Sequence, residues 1–200
     1  MRFKLALLLA GAFLFLTVPV FAGPISFCTS GSYGPTDVGS SVTSGGLTAT
    51  GWMGTSTTTS NTATDLSCKD QGTAEFGLGI FADPTKEGEI SNNDFVQVAG
   101  LAGATVTVIE SAQSGEGFEL LGSDTNGVLG TDSLGSGTGC GTCTVSFNMG
   151  SNTYLDITAS SGNVLLDSVA TPEPSTYLLM GTGLLMLGLL ARRKFASASV

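Results

Sequence analysis

The stretch "ATVTVIES", residues 104–111, indicates the fold class of this chain of 200 residues. In an extended chain Ala104, Val106 and Val108 face one way, while Thr105 and Thr107 face the other. A stretch that is rich in β-branched residues and alternates with a period of two is typical of a β-strand that packs one face against a core. The stretch therefore predicts a β-strand, and its neighbours indicate the kind of sheet.

Further short runs of this kind lie on both sides of it, separated by Gly, Asn, Asp and Ser, and the pair Asn126-Gly127 suits a tight turn. No stretch between the terminal segments has a helical period over 11 residues. We therefore predict an all-β fold, an antiparallel β-sandwich with jelly-roll as the favoured topology; a barrel or β-helix is the alternative. The runs are "TAEFGLGIF" (73–81), "EGFELLG" (116–122), "CTVSFNM" (143–149), "TYLDITAS" (153–160) and "NVLLDSVA" (163–170).

Residues 39–64 differ from these runs because they are rich in Ser, Thr and Gly and carry no charge. Such a composition is typical of irregular or flexible chain. Leu47, Ala49 and Trp52 nevertheless alternate closely enough to indicate one strand. We expect residues 39–64 to be a partly irregular portion of one domain, residues 23–171.

Residues 1–22 have the pattern of a signal peptide. Arg2 and Lys4 precede an apolar run over 5–20, and Val20 and Ala22 have the spacing that signal peptidase accepts. Cleavage after Ala22 is predicted, with an uncleaved anchor helix as the alternative. The chain is therefore expected to be exported.

The other end of the chain contains a second apolar run, Tyr177 to Ala191, of 15 residues. At 1.5 Å per residue the run, with Ser175 and Thr176, is roughly 25 Å long, against about 30 Å for the hydrocarbon layer. We predict a short transmembrane helix at about 176–191. Three cations, Arg192, Arg193 and Lys194, follow it and favour a cytoplasmic C-terminus.

The order of parts in this segment closely resembles the PEP-CTERM sorting signal: Pro172, Glu173 and Pro174, then the apolar span, then the basic cluster. The resemblance covers residues 172–195. It implies recognition and cleavage near Pro172 to Pro174 by exosortase, a membrane-embedded cysteine transpeptidase. Residues 196–200 form a short tail beyond the cluster, where many family members stop.

This resemblance also implies a location: transiently the inner membrane, then the cell surface or extracellular matrix of a polysaccharide-producing Gram-negative bacterium. Stretches such as "DFVQV" (94–98) look like those of a β-rich type of ectodomain that often precedes such signals. This looser resemblance implies no activity for the domain.

The charge of residues 23–171 excludes one class of partner. Two lysines and 15 acids give this region a formal net charge of −13, which repels phosphate backbones, so nucleic-acid binding is not expected. The chain has no histidine, and Ser–His–Asp and Cys–His catalysis both require one. Glu116 and Glu119 are the nearest carboxylate pair, but three residues apart on a strand they face opposite ways. We therefore expect no enzyme.

Four cysteines, Cys28, Cys68, Cys140 and Cys143, indicate two disulfides in an exported protein, and three pairings are open. We favour Cys28–Cys68 with Cys140–Cys143. A redox dithiol at Cys140-Gly-Thr-Cys143 needs a helix N-terminus or a nearby cation to stabilise its thiolate, and neither is evident. Zinc is disfavoured because histidine is absent.

One acidic cluster, in "DPTKEGEISNNDF" (83–95), has the residue types that calcium prefers. Asp83, Glu87, Glu89 and Asp94 are its carboxylates. The spacing is not that of an EF-hand, and a solvated acidic turn explains it equally, so no cofactor is predicted beyond a possible calcium ion.

Two functional interpretations remain. The first is a structural or adhesive component of the cell surface or exopolysaccharide layer, as in a biofilm. The second is a carbohydrate-binding module, in which Trp52 and Tyr154 would contact extracellular polysaccharide. Since such modules use aromatic platforms and this region has one Trp and two Tyr, the first interpretation is favoured. Trp52 fits a core position equally well.

Overall fold

The computed structural model describes residues 23–29, 34–71, 75–81, 88–171, 181, 183–185 and 188. The chain divides into two compact units, Gly23–Thr171 and the terminal segments Met1–Ala22 with Pro172–Val200. The predicted signal peptide lies outside the described residues. Most of the predicted transmembrane segment also lies outside the described residues. Its few described positions, which include Gly181, Leu184 and Leu185, are all helical. Within the described part of the chain, no helix has the length and hydropathy needed to cross a membrane.

The unit Gly23–Thr171 consists of β-strands joined by turns and loops. Its strands are β1 (Thr36–Gly39), β2 (Ser41–Ser44), β3 (Leu47–Met53), β4 (Thr62–Thr64), β5 (Leu66–Asp70), β6 (Phe76–Ile80), β7 (Asp94–Ala99), β8 (Thr105–Ala112), β9 (Gly117–Ser123), β10 (Asp132–Thr138), β11 (Gly141–Asn148), β12 (Tyr154–Ser161) and β13 (Leu165–Ala170).

These strands form two antiparallel sheets. Sheet 1 has the order β1-β5-β6-β13-β8-β11, and sheet 2 has the order β10-β9-β12-β7-β3-β2, with β4 paired to β3. From β6 to β13, successive strands alternate between the sheets except at the β9–β10 pair, which lies within sheet 2. The resulting strand orders, 6-13-8-11 and 7-12-9-10, are those of two four-stranded jelly-roll sheets. The prediction of an all-β, antiparallel fold is confirmed.

The main core lies between the two sheets, because the alternating apolar residues of each strand turn towards the other sheet. Leu78 and Leu166 of sheet 1 and Val98, Leu120 and Leu155 of sheet 2 are fully buried members of one cluster. The period of two that the sequence shows is therefore the period of this core.

Residues 39–64 are more regular than their composition suggests. β2, β3 and β4 lie in this region, and β3 pairs with β7 from Thr48↔Ala99 to Met53↔Asp94. The single strand indicated by Leu47, Ala49 and Trp52 is β3. Pairing with a buried neighbour overrides the weak local propensity of Ser, Thr and Gly. The turn predicted at Asn126-Gly127 also forms: Val128 N donates to Thr125 O at 3.3 Å, and Gly127 has φ of 75°.

Candidate functional site

The last strand before the sorting segment, β13, is a central strand of sheet 1. β13 pairs with β8 on one side and β6 on the other, and Leu166 and Val169 are fully buried. It ends at Ala170, and Thr171 separates it from Pro172. In the chain, the predicted cleavage region therefore begins two residues after the last residue of β13.

The start of the predicted mature chain lies beside the end of β13. Ile25 N donates to Val169 O at 2.8 Å, and Val169 N donates to Ile25 O at 3.0 Å. Gly23, which would begin the chain after signal-peptide cleavage, lies two residues before this bridge, and Pro172 lies three residues after it. Both predicted processing points thus flank one pair of backbone hydrogen bonds.

The predicted sorting residues themselves lie outside the described residues. They are Pro172, Glu173, Pro174, Arg192, Arg193 and Lys194.

The cysteines are paired as the sequence analysis favours, Cys28 with Cys68 and Cys140 with Cys143, each with 5.5 Å between Cα atoms. The expectation of a disulfide is confirmed. The first bond joins the segment around Ile25 to β5, and so holds the predicted mature N-terminus against sheet 1. The second closes the turn that leads from β10 into β11.

A cavity of about 150 Å³ lies beside the Cys28–Cys68 bond, with Phe27, Thr36 and Phe76 among its lining residues. Ligand pockets usually have about 300–1,000 Å³. This cavity is therefore smaller than a usual ligand pocket.

Lys69 occupies a buried position on β5, with 5% of its surface exposed. Its Nζ lies 2.7 Å from Glu75 Oε2 and donates a hydrogen bond to Glu89 Oε1. Burial alone would lower the pKa of Lys69, but the hydrogen bonds and charges of the two carboxylates raise it above its usual value. Gly79 permits this cluster, since a Cβ there would clash with the backbone of Gly88 and Glu89.

Glu89 belongs both to this cluster and to the candidate calcium site. Glu89 is bound to Lys69, and Asp94 accepts 2.7 Å hydrogen bonds from Ser91 N and Ser91 Oγ. Asp83 and Glu87 lie outside the described residues. Among those described, no group of three or more acidic or cysteine side chains is arranged to hold a metal ion. The two described carboxylates of the candidate thus make hydrogen bonds within the fold.

Trp52 lies in a second, smaller core on the outer face of sheet 2. Its side chain is 9% exposed and packs with Phe95, Leu121 and Leu129, and its ring stacks on Phe95 at 6.5 Å between centroids. A sugar cannot stack on a ring in this position, so the structure favours the core interpretation of Trp52 over the glycan-contact hypothesis. Tyr154, at the start of β12, is half-buried.

The same outer face holds a buried acid that sequence reasoning missed. Asp156 is 0% exposed, and its carboxylate accepts 2.8 Å and 2.7 Å hydrogen bonds from Gln97 Nε2 and Gly130 N. Gly127 N in turn donates to Gln97 Oε1 at 2.8 Å. Burial raises the pKa of Asp156 to about 7 despite these hydrogen bonds.

Asp156 lies on the opposite face of β12 from Leu155 and Ile157. No local signal shows that this face is covered, because the covering loop, 124–131, is distant in sequence. The carboxylate pair Glu116 and Glu119 lies at the start of β9. Glu116 accepts a hydrogen bond from Gln113 N in the turn before β9, and Glu119 lies on β9 opposite Thr158 of β12.

In a comparison with known families, residues 170–194 match the PEP-CTERM protein-sorting motif. This motif implies exosortase-dependent sorting of an exported protein, with exosortase as the processing partner. The match confirms the resemblance seen in the sequence. No curated protein and no solved structure matches the chain.

Proposed function

We propose that this exported protein is a non-enzymatic structural or adhesive component of the cell surface or exopolysaccharide matrix of a biofilm. In this proposal signal peptidase releases the N-terminus. The C-terminal helix holds the chain transiently in the inner membrane, and exosortase cleaves near Pro172 to Pro174. The Gly23–Thr171 domain is the mature product.

The observation that carries the proposal is the position of the sorting motif directly after β13. Cleavage between Pro172 and Pro174 leaves every strand in place, including the central strand β13 and its bridge to Ile25. The disulfide of Cys28 secures the other terminus. A domain closed at both ends in this way suits a product that must persist outside the cell, where disulfides are stable.

The character of the domain surface supports a matrix role. Lys69, the one cation among the described residues, is buried by two carboxylates. The described surface is therefore anionic, which keeps a protein hydrated and soluble. The proposal includes no turnover chemistry and no resident cofactor. A calcium ion at Asp83, Glu87, Glu89 and Asp94 stays a prediction, and calorimetry with millimolar calcium tests it: absence of binding heat would contradict it.

A carbohydrate-binding module is the second candidate, and it now rests on Tyr154. Half-exposed tyrosine rings can stack on sugars while their hydroxyl groups remain in water. A polysaccharide pull-down with wild type and Tyr154→Ala distinguishes the candidates. Saturable binding that the substitution abolishes would favour the module, whereas binding below detection for both proteins favours the structural role.

The sorting part of the proposal is tested by the mass of the mature protein in an exosortase-positive host. Glu173 is the only acid after Asp167, and its flanking prolines restrict the backbone that presents it. We predict that Glu173→Gln, which removes the charge at nearly equal volume, blocks processing and leaves full-length protein in the inner membrane. Pro172→Ala should act likewise.

An exosortase-negative host is the control for this experiment, and wild-type protein should accumulate there uncleaved. If wild type in the positive host retains Arg192 to Val200, processing does not occur and the segment is a plain anchor. If Glu173→Gln is processed normally, recognition does not depend on its charge.

A further inference from the structure

A short loop crosses the outer face of sheet 2 and covers the aromatic pair there. The loop, residues 124–131, joins β9 to β10. Its Leu129 packs in the same small core as Trp52 and Phe95. Gly127 lies directly against the Trp52 ring, since a Cβ on Gly127 would come within 2.8 Å of ring carbon Cη2. The burial of Trp52 therefore depends on the position of this loop.

The loop is attached to sheet 2 through a hydrogen-bonded network. Gly130 N donates to Asp156 Oδ2 at 2.7 Å, and Gly127 N donates to Gln97 Oε1 at 2.8 Å. Gln97 Nε2 donates in turn to Asp156 Oδ1 at 2.8 Å. On its other side the loop hydrogen-bonds to the connection between β3 and β4. The carboxyl group of Asp156 thus lies at the point where the loop meets the sheet.

Two polar groups under the loop are poorly compensated while it is closed. Trp52 Nε1 is buried and has no hydrogen-bond acceptor among the described residues. A buried donor without an acceptor disfavours the state that buries it. Asp156 is fully buried, and its hydrogen-bond donors, Gln97 and Gly130, are uncharged. Opening of the loop would let water reach both groups.

No cation among the described residues balances a charge on Asp156, because Lys69 lies in sheet 1. The neighbouring strands β7 and β3 place uncharged side chains on this face, including Gln97 and Trp52. The titratable groups on the outer face and in the loop are Tyr154 of β12, Glu119 of β9, Asp124 of the loop and Asp132 of β10. All of them are negative when ionised, so they add only repulsion.

We propose that residues 124–131 form a pH-dependent lid, which stays closed over Trp52 and Phe95 while Asp156 is protonated and opens more often once Asp156 is ionised. Opening exposes an apolar aromatic pair on a largely anionic domain. Because the protein is exported, the pH outside the cell would set the position of the lid. This inference goes beyond the proposed function and depends neither on sorting nor on glycan binding.

The direction of the pH effect follows from the burial of Asp156. Burial raises the pKa of Asp156 to about 7 in the closed form, against an ordinary 3.8, which hydration in the open form restores. The closed form is therefore fully favoured below pH 4, and this advantage is lost as pH rises through 7. Between pH 5 and pH 8 the ratio of open to closed lid should rise by up to about a hundredfold.

Amide hydrogen exchange of the secreted protein between pH 5 and pH 8 tests the proposal. Protection factors are compared, because they remove the intrinsic pH dependence of exchange. Protection of the Gly127 and Gly130 amides should fall by roughly tenfold to a hundredfold over this range. At every pH it should stay below the protection of the core amides in β7 and β12. Trp52 is the only tryptophan of the chain, so quenching of its fluorescence by acrylamide should increase in parallel.

Asp156→Asn nearly keeps the size of the side chain and removes its ionisation, so protection of its loop amides should not change with pH. Asp124→Asn, which makes the same substitution at an exposed aspartate of the same loop, is the matched control and should keep the pH dependence of wild type.

The proposal is overturned if protection of the loop amides is constant in wild type, or if it falls equally in Asp156→Asn. It is also overturned if the loop amides exchange only together with the core amides, because the opening event is then global unfolding rather than movement of a lid. The first and last of these outcomes need wild type alone, so the test holds even if Asp156→Asn does not fold.

Discussion

Lys69 and Asp156 are both buried charged side chains of one sandwich, but the fold compensates them differently. Lys69, in sheet 1, meets two carboxylates of opposite charge. Asp156, on the outer face of sheet 2, meets only uncharged donors, Gln97 and the backbone of Gly130. A charge that is paired stays ionised inside the protein, whereas a charge with only hydrogen-bond donors shifts its pKa towards the neutral form. The two sites should therefore respond in different ways to substitution and to pH.

The largest expected effect comes from removing the cation. Lys69→Met leaves Glu89 buried without its partner, and breaking a buried ion pair in this way costs about 3–5 kcal/mol of unfolding free energy. Urea denaturation at pH 7 measures the loss.

The double substitution Lys69→Met with Glu89→Leu is the matched control, because an apolar pair of similar volume avoids the unpaired charge. It should recover most of the stability. A loss of unfolding free energy below about 1 kcal/mol for Lys69→Met alone would contradict this prediction. It would show that water solvates the Glu89 carboxylate, so that the ion pair contributes no more than an exposed one.

The second expected effect is the pH dependence from Asp156. Its pKa in the folded protein is about 7, against an ordinary 3.8, so its contribution to stability is fully present below pH 4 and is lost as pH rises through 7. A shift of this size corresponds to about 4 kcal/mol between pH 4 and pH 8 as an upper bound. We predict that the stability of wild type falls relative to Asp156→Asn over this range.

Urea denaturation at several pH values checks this, and comparing the two proteins removes the contribution of the other acids. Asp132→Asn, which makes the same substitution at an exposed aspartate of β10, is the matched control. Parallel curves for wild type and Asp156→Asn would contradict the buried, shifted carboxyl.

The difference between the two sites also shows which parts of the molecule the sequence could predict. Alternation around Val106 and Leu155 identifies strands, and their number and spacing predict a sandwich, because that information is local. The order of Pro172, the apolar span and Arg192 identifies the sorting motif for the same reason.

Neither buried charge was predictable in this way. Lys69 and Glu89 are 20 residues apart, and the backbone before Glu89 passes so close to Gly79 that a Cβ there would clash with it. Asp156 is covered by a loop that starts after β9 and returns over sheet 2, which also buries Trp52. Strand alternation separates the two faces of sheet 2, but a period of two cannot show that a loop covers the outer one.

The smallest expected effect separates the two partners of Lys69. Glu89 has 8% of its side chain exposed and Glu75 has 21%, so water screens Glu75 more. Glu75 also accepts a hydrogen bond from Gln113 Nε2, which a neutral amide oxygen at position 75 can still accept. Glu75→Gln should therefore cost about 1 kcal/mol or less, and Glu89→Gln should cost clearly more because it leaves Lys69 with a single, partly solvated carboxylate. Urea denaturation of the two isosteric variants side by side decides the order. If Glu75→Gln lowers the unfolding free energy more than Glu89→Gln does, Glu75 is the principal partner of Lys69. The charge of Lys69 would then be balanced mainly by the more exposed of the two carboxylates.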